Sequence, residues 1–155
     1  MFILSVRAAT VKFFAVILVG VLALGGVIVY NTLPPEEEAM ETVSYSGIKT
    51  EEDRRAFLAE LGWQVSGDAV DVGEFTVPES FDRVLAGYNE IQRRQGLDLS
   101  RYAKKTVTRY TYEVTNYDGY DGKVYANIIV YRGKVVAGDL CSADSTGFVT
   151  GLDGK

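Results

Sequence analysis

The chain has 155 residues, with sixteen Lys and Arg against twenty-one Asp and Glu, no histidine and one cysteine, for a net charge of −5. Without histidine it lacks the usual neutral-pH base, the commonest zinc ligand and the usual partner of a Ser or Cys nucleophile. The lone Cys141 rules out an intramolecular disulfide and a thiolate cluster, and the acidic balance argues against nucleic acid, so no metal site and no cofactor is expected.

Residues 1–12 contain two basic groups, Arg7 and Lys12, and no acidic ones. Behind them runs Phe13 to Tyr30, FFAVILVGVLALGGVIVY, eighteen residues without a charge. As a helix it would span roughly 27 Å, close to the roughly 30 Å hydrocarbon core of a bilayer. Basic residues before it and Glu36, Glu37, Glu38 and Glu41 after it predict a single-pass membrane anchor, with a cytoplasmic N-terminus and an extracellular remainder. The competing reading is a cleaved signal peptide and a secreted domain. It rests on the small residues Ala23, Gly25 and Gly26, but the apolar run continues past them and exceeds a typical signal core.

Leu33-Pro34-Pro35 and the acidic run end any helix there, so residues 31–44 read as a stalk. An extracellular domain is expected over 45–152, with 153–155 as a tail. Thr50 followed by Glu51, Glu52 and Asp53 predicts a capped helix to about Leu61, with Phe57, Leu58 and Leu61 on its apolar side and Gly62 beyond its end. Val70, Val72, Phe75 and Val77 predict a strand with a bulge at Gly73-Glu74. From Glu79 the positions Phe81, Val84, Leu85, Tyr88 and Ile91 keep helical spacing as far as Gly96. After a connector with one helical turn near 100–102, strands are predicted at 106–115, 123–131 and 134–142. The fold class is α+β, with two helices packed on one face of an antiparallel sheet made of a three-stranded meander and one or two earlier strands.

Three stretches carry a resemblance: YSGIKTEEDRRAFLAELGWQV at 45–65, VPESFDRVLAGYNEIQRRQGLDLSRY at 77–102, and VTRYTYEVTNY with GKVVAGDLCS within 107–142. The chain resembles an uncharacterised family of exported or membrane-anchored domains from Gram-positive, Clostridia-type bacteria. The resemblance implies an exported domain and supplies no reaction, cofactor or catalytic residue.

A two-residue loop at Arg132-Gly133 would pair Val130 with Val135, Ile128 with Ala137, Ala126 with Asp139 and Val124 with Cys141. Cys141 then lies in the core as a structural thiol. A loop longer by one residue would turn Cys141 to the other face. In the first register that other face shows Tyr125, Asn127, Ile129, Tyr131, Val136 and Leu140, with Arg109, Thr111 and Glu113 beside them. Aromatic yet partly polar, it is the candidate binding face. The turn from Asn116 to Gly122 has acids near glycines but lacks the length and terminal Glu of a calcium loop, so it reads as a tyrosine-rich turn.

These features predict a non-enzymatic, membrane-tethered extracellular domain that binds a protein, peptide or cell-wall component. The alternative is a structural or accessory subunit of a membrane complex acting through its anchor. A carboxylate hydrolase built on Glu113 and Asp139 is a weaker third reading.

Overall fold

Five strands form one antiparallel sheet in the order of the chain: β1 (Asp71–Thr76), β2 (Thr106–Val114), β3 (Val124–Tyr131), β4 (Lys134–Ser142) and the short β5 (Val149–Thr150). The computed structural model describes residues 43–144 and 146–154. The predicted cytoplasmic N-terminus, anchor and most of the stalk lie outside the described residues. Among those described, no helix is long and apolar enough to cross a membrane. Contacts divide the chain between residues 42 and 43, and the sheet and its helices belong to the second unit.

Helix α1 (Glu51–Glu60) begins at the predicted cap: Thr50 Oγ1 accepts from Asp53 N–H at 3.2 Å while the Asp53 carboxylate accepts from Thr50 N–H at 2.7 Å. Helix α2 (Arg83–Arg94) starts at an Asp82 cap, four residues later than its apolar spacing suggested, and a 3₁₀ turn (Leu99–Tyr102) follows it.

The helices cover opposite faces of the sheet, which corrects the expectation of one shared face. Phe57 and Leu58 of α1 pack with Tyr112, Val124, Ala126, Ile128 and Leu140. Phe81, just before the Asp82 cap, and Leu85 and Tyr88 of α2 pack instead with Val107, Ile129, Val136 and Ala137. Successive strand residues point to alternate faces, so two amphipathic helices can each take one face of a sheet whose central strands are apolar on both.

β1 carries no bulge. Its register against β2 is unbroken from Asp71 opposite Thr111 to Thr76 opposite Thr106. The bulge lies in β4. Arg132 and Gly133 adopt φ of 49° and 76°, the left-handed pair a two-residue hairpin needs. Val130 then faces Val135, but Ile129 faces Ala137, so Val136 is an extra residue. Beyond it every partner moves by one: Asn127 faces Asp139, Ala126 faces Leu140 and Tyr125 faces Cys141. A one-residue slip exchanges faces. Leu140 therefore sits in the α1-side core, and Cys141, expected in that core, lies half-buried on the α2 side. The bulge spares the apolar core the Asp139 carboxylate, which an unbulged register would set opposite Ala126.

Candidate functional site

On the α2 side, residues from four strands fall into cross-strand rows. One row is Asp71, Thr111, Asn127 and Asp139; the next is Gly73, Arg109, Ile129 and Ala137. The first is polar and linked. Thr111 Oγ1 donates to Asn127 Oδ1 at 2.7 Å, and Asn127 Nδ2 donates to Asp139 Oδ2 at 2.9 Å and to Cys141 Sγ at 3.3 Å. In the second row Gly73 has no side chain, and Arg109 reaches Asp71 at 2.7 Å.

The C-terminal half of α2 is fastened to the edge of β4. Gln92 Oε1 accepts from Gly138 N–H at 2.8 Å, and Gln95 Nε2 donates to Gly138 O at 2.7 Å. The N-terminal half stands over the polar row and leaves a cleft of about 390 Å³ lined by Phe75, Asp82, Val84, Leu85, Tyr88, Arg109, Asn127, Ile129 and Asp139. Val84, predicted on the apolar side of the helix, is 81% exposed at its rim. Tyr88 donates its hydroxyl proton to Asp139 Oδ1 at 2.8 Å.

Asp139 is 5% exposed. Burial pushes its carboxyl above the ordinary carboxylate range, against the opposing pull of Asn127, Tyr88, Cys141 and the Arg109 charge. Burial also raises the Tyr88 hydroxyl and the Cys141 thiol, and the Asp139 charge adds to both. A raised thiol is a poor nucleophile at neutral pH. What the arrangement offers a ligand is a shallow apolar slot with one buried acceptor group and two polar neighbours.

A larger hollow of about 520 Å³ beside α1 involves Trp63, Val65 and the outer side of the helix. None of its lining residues is buried and it contains no buried ionisable group, so the α2-side cleft holds the chemistry.

The structure divides the six residues of the predicted binding face. Asn127 lines the cleft and Tyr125 is half-buried in the neighbouring row. Ile129 and Val136 are buried under the α2-side cover, although Ile129 still contributes to the cleft floor. Tyr131 meets Tyr102 edge to face at 5.6 Å. Leu140 is on the other side of the sheet, because the bulge at Val136 sets it opposite Ala126. Arg109, Thr111 and Glu113 do share the face, opposite Ile129, Asn127 and Tyr125.

Glu113 and Asp139 each have their own partners, Lys123 at 3.0 Å for the first and Tyr88 and Asn127 for the second. The tyrosine-rich turn is internal packing as much as surface. Tyr117 stacks between Trp63 and Phe148 at 5.8 and 5.0 Å, and the Tyr120 hydroxyl donates to Asp144. Among the described residues no cluster of three or more Cys, Asp or Glu is placed to hold a metal ion.

Sequence reasoning missed Phe75, Val84, Leu85 and Tyr88 as site residues because helical and strand spacing marks them as core, and Asp82 because it falls outside that spacing. The available signal was Tyr88, whose polar tip needs a partner when its ring is buried.

No curated protein and no solved structure matches the chain. A family model described as Domain of unknown function (DUF4830) matches residues 57–140, a span that includes every residue lining the cleft. That span is more than half of the chain, and the protein belongs to the DUF4830 family.

Proposed function

We propose that the protein is a non-enzymatic binding domain, held outside the cell by the apolar segment 13–30, which takes a group of a protein, peptide or cell-wall ligand into the cleft between α2 and the sheet. One observation carries this reading: a buried carboxylate lines an open, mostly apolar cleft, the combination of apolar walls and few convergent polar groups typical of ligand sites. The exposed apolar rim, Phe75 at 36% and Val84 at 81%, supports it, since side chains that gain nothing from folding gain burial when a ligand arrives. The tether rests on the sequence of residues 1–41 alone.

Site-specific photo-crosslinking in intact cells tests the reading. A benzophenone amino acid at Val84 is expected to give a discrete adduct that the same group at Glu52, on the exposed side of α1, does not. Adducts of equal yield at both positions, or none at Val84, refute the cleft as the binding site. Protease shaving of whole cells tests the placement, because an extracellular domain is expected to be lost and a cytoplasmic one retained.

A further inference from the structure

The chemistry of the cleft narrows what it takes, and this step rests on the cleft being the binding site. Its charged groups are Asp82, Asp139 and Arg109. Arg109 is engaged by Asp71, and Asp82 Oδ1 caps α2 by accepting from Leu85 N–H at 2.8 Å. Asp139 differs from both. Its two oxygens accept from the Tyr88 hydroxyl and the Asn127 amide, the Cys141 thiol adds a third neutral contact, and among the described residues no Lys or Arg forms an ion pair with it.

A carboxylate offers about four lone-pair sites, so about one remains after Tyr88, Asn127 and Cys141 are counted. A buried charge without an ion-pair partner is costly, and a cation delivered by a ligand offsets that cost. A neutral hydroxyl would fill a lone pair and leave the charge uncompensated. A guanidinium binds best as a fork across both oxygens, where one donor already sits on each. A compact ammonium on an alkyl stem fits what is left: a point charge for Asp139, and methylenes for Phe75, Leu85 and Ile129.

We propose that the cleft binds a primary alkylammonium group, with Asp139 receiving the ammonium and Phe75, Leu85 and Ile129 covering its methylene stem. The chemistry is common to a lysine-type side chain within a peptide and to a free alkylamine.

The test uses the full-length ¹⁵N-labelled protein in detergent micelles and follows the Asn127 side-chain amide by NMR. Three probes are titrated at constant ionic strength: N-acetyl-lysine N-methylamide, n-butylamine, and the uncharged N-acetyl-norleucine N-methylamide. The two amines are expected to give saturable shifts, at least about tenfold tighter than norleucine, the scale of one charge-assisted contact. The lysine derivative binding more tightly than butylamine assigns a peptide source; equal or weaker binding assigns a free amine. Asp139→Asn, isosteric and checked for folding by its own spectrum, is expected to remove that advantage. Norleucine matching the lysine derivative overturns the ammonium proposal while leaving the cleft reading intact. Saturable amine binding that survives in folded Asp139→Asn overturns it too, as does the absence of any saturable shift, and the Val84 cross-link then decides the cleft reading separately. Should Asp139→Asn fail to fold, the wild-type comparison of lysine with norleucine decides alone.

Discussion

Helices α1 and α2 are nearly equal in length, 10 and 12 residues, but are held to the sheet by different forces. The buried residues of α1 are Arg54, Phe57 and Leu58; those of α2 are Asn89 and Gln92. On the α1 side even the polar group serves packing. Arg54 lies 3.9 Å over the Tyr110 ring and donates from Nε to the Tyr112 hydroxyl at 2.8 Å, where burial helps push that phenol up to about 12. On the α2 side directional bonds replace apolar area. Asn89 donates to Asp98 and accepts from Leu99 N–H, both at 2.8 Å, while Gln92 and Gln95 grip Gly138. Apolar burial closes a face uniformly, because any gap loses contacts along its whole lining. A few amide bonds fasten one end of a helix and leave the other free to stand off, which is where the cleft lies.

If that contrast is right, truncation of the α1 face has the largest cost. Phe57→Ala is expected to destabilise the protein by about 3–5 kcal/mol, since Phe57 is 1% exposed inside the larger apolar cluster. Val84→Ala, at the cleft rim, is expected to stay within about 0.5 kcal/mol. Urea unfolding of both variants measures the difference, and similar losses would erase the distinction between the faces. Next comes Gln92→Leu, which fills similar space but leaves the buried Gly138 N–H without its acceptor, at a cost of roughly 1–3 kcal/mol. A loss near zero would mean that α2 is held by its apolar contacts after all.

A smaller effect is expected at Asp98, which ties the 3₁₀ turn to α2. Hydrogen bonds from Asn89 and Ser100 hold its carboxyl down at about 2, below the ordinary 3.8. The folded state therefore binds this proton more weakly than the unfolded chain. Its stabilisation is complete above about pH 4 and is lost as pH falls through the folded value near 2. Asp98→Asn is expected to cost on the order of 1 kcal/mol at neutral pH, after discounting for its exposure to solvent, and to flatten the acid limb. An unchanged acid limb would remove Asp98 from the fastening of α2.

Elements with a local signal were legible in the chain. The Thr50 cap, the Arg132-Gly133 loop and the three β-rich strands depend on neighbouring residues, and they stand where their residue types require. The side of the sheet that each helix takes has no local signal, since Phe57 and Leu85 are equally apolar and only tertiary packing separates them. The bulge at Val136 is also silent, because Val135, Val136 and Ala137 form an apolar run in any register. That one residue decided the candidate site: it sent Leu140 inward and brought Asp139 beside Asn127. Asn127 and Tyr125 were legible because the first half of their strand, Val124 to Asn127, alternates buried and half-buried residues.

Asp139 tests the contrast with the smallest expected change in stability, and with the opposite sign to Asp98. Tyr88 and the Asp82 cap on α2, Arg109 on β2, Asn127 on β3 and Cys141 on its own strand surround it. Burial outweighs the groups that favour its charge, so the folded state holds the proton more tightly than the unfolded chain does. Stability is then expected to be greatest below the unfolded value near 3.8 and to fall as pH rises through the elevated folded value. Asp139→Asn keeps the shape, accepts from Tyr88 through its amide oxygen, leaves Asn127 Nδ2 to Cys141 Sγ alone, and removes the titration. Thermal unfolding across the acid and neutral range is expected to show the variant losing the wild-type decline and matching or exceeding wild-type stability at neutral pH. A residue kept at some cost to stability is the mark of a site made for something other than folding. If the variant is instead markedly less stable at neutral pH, the carboxylate belongs to the fastening of α2, and the two faces differ in chemistry alone.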